Sequence, residues 1–247
     1  MKEKIYTIPL TEAYEEDCEC PFCKLERQLE QEAVEYALGA SMMEPDSRVN
    51  SNEKGFCRRH YSQMLQQQGK MLSLALVLDT HLASVIGKME EIAQKKRSGG
   101  FLKKGQAKHE ELARLLDDAE ASCVICEKID STLEKFACTF WELYHKEKDF
   151  HAKVNESRGF CLPHFSLLLH TAEKELRGAV LEQLTEELIG VEIENLKRVN
   201  EDVNWFTKKF DYRYQDAPWK NAKDAPPRTA AKLAKFIAGE EKKESHQ

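Results

Sequence analysis

The sequence predicts an all-α protein. Apolar residues recur at helical spacing along most of the chain, the alternation typical of strands is nearly absent, and glycine and proline are sparse, at 11 and 7 of 247 residues. Hydrophobic residues make up 41% and charged residues 32%, which is typical of a soluble, charge-rich chain rather than a disordered one. A chain of this length can bury a sizeable core without disulfides.

Four short cysteine-bearing segments, here called arms, dominate the sequence. Two CxxC arms alternate with two GFCxxH arms, in the order 20–23, 55–60, 123–126 and 159–164. The CxxC arms begin 103 residues apart and the GFCxxH arms 104 residues apart. This regular spacing predicts an internal duplication, with two related helical halves.

The first half is predicted to contain three helices and one loop. They are a helix over 21–38, a loop over 40–54, a helix over 58–68 and a longer helix over 74–92. The first helix has proline in its first turn, where proline is tolerated. The loop is rich in proline, aspartate, serine and asparagine, and the last helix carries one continuous apolar stripe.

The second half is predicted to repeat this plan. Its elements are a helix over 109–120, a helix over 123–145, a return segment over 149–157 and a helical stretch over 164–206. The last stretch is one long helix, or two helices with a break near Gly178 or Gly190. Ser122 is a predicted N-cap for the helix that carries the second CxxC arm.

The composition around residue 100 predicts where the segments of the chain begin and end. Ser98-Gly99-Gly100 interrupts the helical pattern, and basic residues follow it. We therefore predict a first helical zinc-binding half at 1–97, a basic linker at 98–108, a second helical zinc-binding half at 109–206 and a partly irregular tail at 207–247. The tail is predicted to include a short terminal helix over 228–238.

Each half offers three thiols and one imidazole, which is the ligand set of a closed structural zinc site. Two ligands three residues apart lie close together in a helix start, so two arms supply four ligands. The predicted sites are Cys20, Cys23, Cys57 and His60 in the first half, and Cys123, Cys126, Cys161 and His164 in the second. The arms are predicted at helix N-termini, where the helix dipole favours thiolate over thiol. The sequence thus predicts two Zn²⁺ ions per chain and no catalytic or further cofactor-binding residue.

Other interpretations of the cysteines have less support. Iron–sulfur clusters usually take four cysteines, a thioredoxin-like CxxC needs a βαβ setting, and four protein ligands leave no position for a catalytic water. Outside the arms, Cys18 fits an exposed spare thiol or a substitute ligand, and Cys138 fits the core of an apolar helix.

Further motifs bring a resemblance to a known family. Together with the arms, the segments 1–9 and 42–46 and the tail segments 209–213 and 218–219 resemble an uncharacterised bacterial family, domain of unknown function 6062. The resemblance extends over almost the whole chain. It supports the cysteine arms and a cytoplasmic setting, and it implies no activity.

The sequence favours a zinc-binding protein with a non-enzymatic binding or scaffold role and an unidentified protein partner. The alternative is a zinc–thiolate redox sensor or holdase, for which Cys18 beside the first CxxC arm is the local support. Nucleic-acid binding through the basic segments fits a formal net charge of -6 poorly. Motifs of nucleotide-binding proteins or hydrolases do not occur.

The same features predict a cytoplasmic protein. Residues 1–10 hold no apolar stretch of signal-peptide length. The longest apolar run, 74–78, is far shorter than the roughly 20 residues that span a bilayer, so no membrane contact is expected. In a reducing compartment, paired cysteines are better explained as metal ligands than as disulfides.

Overall fold

The computed structural model describes residues 5–95 and 107–235. All regular structure within these residues is helical, which confirms the all-α prediction. The first helices are α1 (Thr7–Ala13), α2 (Pro21–Ala37), α3 (Pro45–Lys54), α4 (Arg58–Gln66) and α5 (Met71–Gln94), with a 3-10 segment at Ala40–Met43. They are followed by α6 (Lys108–Ala121), α7 (Val124–Lys146), α8 (Lys148–Glu156), α9 (Leu162–Glu175), α10 (Gly178–Lys208) and α11 (Ala225–Ala234), with a 3-10 segment at Tyr212–Tyr214.

The loop predicted over 40–54 is wrong, because most of it forms α3. Proline occupies the first position of this helix, where its missing N–H costs nothing. Asp46 in the first turn and Lys54 in the last turn each suit their end of the helix dipole. Helix-start chemistry therefore outweighed the loop-like composition. The return segment predicted over 149–157 likewise forms a helix, α8.

The long helical stretch after the second GFCxxH arm consists of two helices. The break falls at Leu176 and Arg177, and Gly178 has a positive φ of 54°, so the break lies at the first of the two predicted glycines. The terminal helix α11 begins three residues before its predicted start at Arg228. The predicted end of that helix, and most of the linker predicted at 98–108, lie outside the described residues.

The order of elements repeats along the chain. In each half a CxxC arm leads into a long helix, a shorter helix returns to a GFCxxH arm, and two further helices follow. The internal duplication behind this order stays a prediction, as do the segments 1–97, 98–108, 109–206 and 207–247 that were drawn from it.

Contacts between residues group the chain into two compact units. One consists of residues 1–27 and 132–247, and the other of residues 28–131. They are called here the discontinuous unit and the central unit. The boundaries fall inside α2 and α7.

Aromatic residues form the core of the discontinuous unit. Phe140 on α7 is fully buried, and its ring lies 5.3 to 6.5 Å from six other aromatic rings. These belong to Tyr14, Phe22, Trp141, Tyr144, Phe150 and Phe160. Because Phe22 and Phe160 lie within ligand arms, the same core fixes the arms of this unit.

The central unit has a smaller aliphatic core, and α5 packs on α3 within it. The Thr80 hydroxyl donates to the Asn52 side-chain oxygen at 2.7 Å, and His81 Nδ1 lies 2.9 Å from the Asn52 carbonyl oxygen. Arg48 donates to the Leu76 carbonyl oxygen at 3.1 Å. These polar contacts fasten the middle of α5 to α3.

Among the described helices, α5 alone is long and apolar enough to cross a membrane. Only 11% of its most apolar window is buried. Six large apolar side chains on it are exposed: Met71, Leu72, Leu76, Leu78, Leu82 and Ile86. Length and composition alone are weak evidence of a membrane span.

Candidate metal centre

The structure brings the eight predicted ligands together in two groups of four. The Cys20 cluster consists of Cys20, Cys23, Cys161 and His164, and the Cys57 cluster of Cys57, His60, Cys123 and Cys126. In each group the four ligand atoms lie within 4.8 Å of one another. The Cys20 cluster belongs to the discontinuous unit and the Cys57 cluster to the central unit.

Distances within the clusters fit a tetrahedral ion. Zn–S bonds of about 2.3 Å and Zn–N bonds of about 2.0 Å give tetrahedral S–S edges of roughly 3.8 Å and S–N edges of roughly 3.5 Å. The Sγ–Sγ distance is 3.6 Å between Cys23 and Cys161 and 3.7 Å between Cys57 and Cys126. The distances from sulfur to histidine Nδ1 run from 3.1 to 3.5 Å. The residues present therefore fit a zinc ion held by three Sγ atoms and one Nδ1 atom.

The pairing of the arms differs from the prediction that each half closes its own site. Each cluster combines the CxxC arm of one half with the GFCxxH arm of the other. Because α7 runs to Lys146, closure within the second half would need a nearly extended return from its far end. The helix α7 rises about 35 Å over its 23 residues. The nine residues of α8 cover about 14 Å as a helix, against roughly 30 Å if extended.

Each arm lies at the start of a helix, as predicted. Pro21, Arg58, Val124 and Leu162 are the first residues of their helices, and each follows a ligand cysteine directly. Free N–H groups and the positive end of the dipole lie at such starts and favour thiolate. The backbone N–H of Cys126 points at the sulfur of Cys123 across 3.5 Å.

The glycine of each GFCxxH arm permits a conformation that other residues rarely adopt. Gly55 and Gly159 have φ values of +64° and +72°. A Cβ atom would lie 2.5 Å from His81 Nε2 at Gly55 and 2.6 Å from Glu192 Oε2 at Gly159. The positive φ therefore favours glycine, and any other residue would also have to displace the side chain of His81 or Glu192.

A carboxylate faces the remaining nitrogen of each ligand histidine. His60 Nε2 lies 3.1 Å from Glu30 Oε1, and His164 Nε2 lies 3.2 Å from Glu26 Oε2. Burial raises the pKa of both carboxyl groups, but the contacts to histidine and to a nearby basic side chain outweigh burial, and the pKa of Glu26 falls to about 2. Such carboxylates fix the ring orientation and tautomer of metal-bound histidines.

Both carboxylates come from α2, although the sequence prediction overlooked them. The only available signal was that Glu26 and Glu30 lie four residues apart on the helix that follows the first CxxC arm. The predicted ligand list contained no acidic residue, because the ligand spacing alone does not reveal which carboxylates approach the histidines.

The pKa values of neighbouring thiols in each cluster are shifted in opposite directions. Hydrogen bonds with Cys20 and Cys23 lower the pKa of Cys161 to about 4. Burial raises the pKa of Cys123, but the contact with His60 outweighs it and lowers that pKa to about 6. The pKa values of Cys23 and Cys126 are raised beside these groups. Ionisation of one thiol therefore opposes ionisation of its neighbours, and a divalent cation would offset the repulsion among three thiolates.

The two clusters differ in exposure. In the Cys20 cluster only Cys23 is partly exposed, whereas in the Cys57 cluster both Cys57 and Cys126 are. Cys18 lies outside both clusters and is partly buried rather than exposed; burial raises the pKa of its thiol. Cys138 is partly buried on α7.

Comparison with known proteins places the chain in a family without assigning it an activity. No curated protein matches, and no solved structure matches. A protein-family model described as a family of unknown function, DUF6062, matches residues 1–240. The chain, with its two Cys3His clusters, therefore belongs to the DUF6062 family.

Proposed function

We propose that this chain is a zinc protein in which two structural Cys3His sites hold helical arms in place, and that it acts as a non-enzymatic binding or scaffold protein. The single observation that carries the proposal is the pair of complete, closely spaced ligand sets. Four protein ligands close the coordination shell, so the ion stabilises the fold and leaves no position for substrate. A cytoplasmic setting belongs to the proposal, because a reducing compartment keeps the thiols available for metal.

The chain purified without chelator should contain two zinc ions, because both ligand sets are complete. Inductively coupled plasma mass spectrometry, combined with native mass spectrometry of the intact chain, measures this number. A chain without metal, or with iron in place of zinc, contradicts the proposal.

A protein partner fits the surface better than nucleic acid. The exposed apolar side chains of α5 have the character of a surface that contacts other proteins. The formal net charge of -6 opposes a polyanion. The polar contacts between α5 and α3 support a helix that serves the protein fold rather than a membrane span.

A redox-sensing role is the second candidate, and the exposure of Cys57 and Cys126 favours it. Thiol oxidation depends on access and thiolate character. The Cys57 cluster has two partly exposed sulfurs, whereas the Cys20 cluster has one, so the Cys57 cluster is the better placed of the two to react.

Mild peroxide should release zinc from the Cys57 cluster before the Cys20 cluster. Zinc release can be followed with a chromogenic chelator, while alkylation and peptide mass spectrometry report which cysteines have been oxidised. Reversible release that changes the oligomeric state supports the sensor, whereas equal resistance of both clusters leaves the thiolates purely structural. Earlier release from the Cys20 cluster contradicts the order derived from exposure.

A further inference from the structure

Backbone and side-chain hydrogen bonds join the two arms of the Cys57 cluster directly. The N–H of Val124, inside the CxxC arm, donates to the carbonyl oxygen of Gly55 at 3.2 Å. The hydroxyl of Ser122, just before that arm, donates to the carbonyl oxygen of Lys54 at 2.5 Å. Both bonds lie within the central unit.

The Cys20 cluster lacks the donors that make these bonds. Pro21 occupies the position that corresponds to Val124, and proline has no N–H. Glu19 occupies the position of Ser122, and an ionised carboxylate accepts hydrogen bonds but does not donate them. The Glu19 carboxylate accepts a bond from the Arg158 side chain at 3.5 Å, but neither Glu19 nor Pro21 has a donor there for the backbone carbonyl groups of the partner arm.

Lys232 of α11 supplies that donor. Its side chain is 1% exposed, and Nζ donates to the carbonyl oxygen of Glu19 at 2.7 Å, to that of Phe160 at 3.0 Å and to that of Arg158. The three N–H groups of an ammonium match these three acceptors. Glu19 precedes Cys20 directly and Phe160 precedes Cys161 directly, so one ammonium joins both arms. Arg158 corresponds to Lys54, whose carbonyl Ser122 binds in the other cluster.

Other contacts of α11 hold Lys232 in this place. Arg228 pairs with Asp202 at 2.9 Å and donates to the Asn221 carbonyl oxygen at 2.6 Å. Lys235, which directly follows α11, lies 2.9 Å from Glu26, the carboxylate that faces His164. The C-terminal end of α11 thus contacts both the backbone of the arms, through Lys232, and the carboxylate that faces His164, through Lys235.

We propose that Lys232 is a positioning residue for the Cys20 cluster, where it replaces the bonds to backbone carbonyl groups beside the partner arm that Pro21 and Glu19 cannot donate. Through it, α11 slows the loss of metal from this cluster alone. The inference rests on the proposed zinc sites. It makes retention of one of the two ions depend on a helix near the end of the chain, whereas the Cys57 cluster has its own bonds between arms.

The substitution Lys232→Met, which keeps an unbranched side chain and removes the ammonium, tests this role in the full-length zinc-loaded protein. Excess chelator removes zinc while iodoacetamide labels each freed cysteine, and peptide mass spectrometry follows the two clusters separately. Labelling of Cys20, Cys23 and Cys161 should accelerate about tenfold or more, because hydrogen bonds to a charged group are among the stronger ones in proteins. Labelling of the Cys57 cluster should keep the wild-type rate. The matched control is Lys223→Met, which removes an exposed lysine of the same tail.

A rescue variant separates positioning from general destabilisation. Adding Pro21→Val to Lys232→Met restores an N–H at the position that corresponds to Val124, so labelling of the Cys20 cluster should slow towards the wild-type rate. Equal acceleration at both clusters, an unchanged rate in Lys232→Met, or no rescue by Pro21→Val overturns the inference. Absence of zinc from the wild-type chain instead overturns the proposed function, and the two failures are therefore distinguishable.

Discussion

Replacing Cys57 by Ser should remove one of the two zinc ions and unfold the central unit, residues 28–131. Structural zinc binding contributes on the order of 10 kcal/mol in small domains, which is comparable to the roughly 5–15 kcal/mol that separates folded from unfolded chains. Zinc analysis combined with hydrogen-exchange mass spectrometry measures both effects. Protection of backbone amides against exchange should fall in residues 28–95 and 107–131, which include the second CxxC arm. It should persist in the first CxxC arm.

The matched control is Cys18→Ser, which changes a thiol outside both clusters and should leave two ions in place. The arm pairing predicted from the sequence gives a different result. If Cys57 shared a metal with Cys20 and Cys23, protection would fall in the first CxxC arm and persist around Cys123. That pattern would contradict the exchanged pairing of the arms.

The substitution Phe140→Ala should lower the free energy of unfolding of the discontinuous unit by about 3–5 kcal/mol. Phe140 is fully buried and contacts six aromatic rings, so truncation removes buried apolar area and leaves a cavity among rigid neighbours. Guanidinium titration of the zinc-loaded protein, followed by circular dichroism and tryptophan fluorescence, measures the change.

A phenylalanine of the same unit provides the control. Phe210 is 75% exposed, and its ring centroid lies 5.3 Å from that of Phe206. The substitution Phe210→Ala should change the free energy of unfolding by less than about 1 kcal/mol, as is usual for exposed positions. A similar loss for both variants would show that the aromatic cluster around Phe140 does not dominate the core.

Periodicity and arm spacing allowed much of the fold to be predicted. The helix predicted over 21–38 is α2 (Pro21–Ala37), and the apolar stripe over 74–92 lies within α5 (Met71–Gln94). The eight residues that form the two clusters could be named from the sequence, because a pair of candidate ligands three residues apart at a helix start is a local property. Local patterns therefore identified both the long helices and the arms.

The pairing of the arms could not be predicted in this way. The pairing depends on the distance that the chain covers between arms, and therefore on whether α3 and α8 are helical. The composition of 40–54 predicted a loop, and 149–157 was predicted only as a return segment. The carboxylates of Glu26 and Glu30 were missed for a related reason, since tertiary packing alone brings them to His164 and His60. The role of Lys232 also depends on contacts between residues more than 70 positions apart.

The exchange of arms between halves has a consequence for synthesis on the ribosome. Cys20, Cys23, Cys57 and His60 leave the ribosome before either of the arms that complete their native sites. Together these four residues form a complete Cys3His set that can capture zinc in a non-native arrangement. With zinc in the proposed sites, an ion bound by this early set would have to be released or exchanged once residues 123–164 have emerged, because each cluster needs an arm from the second half of the chain.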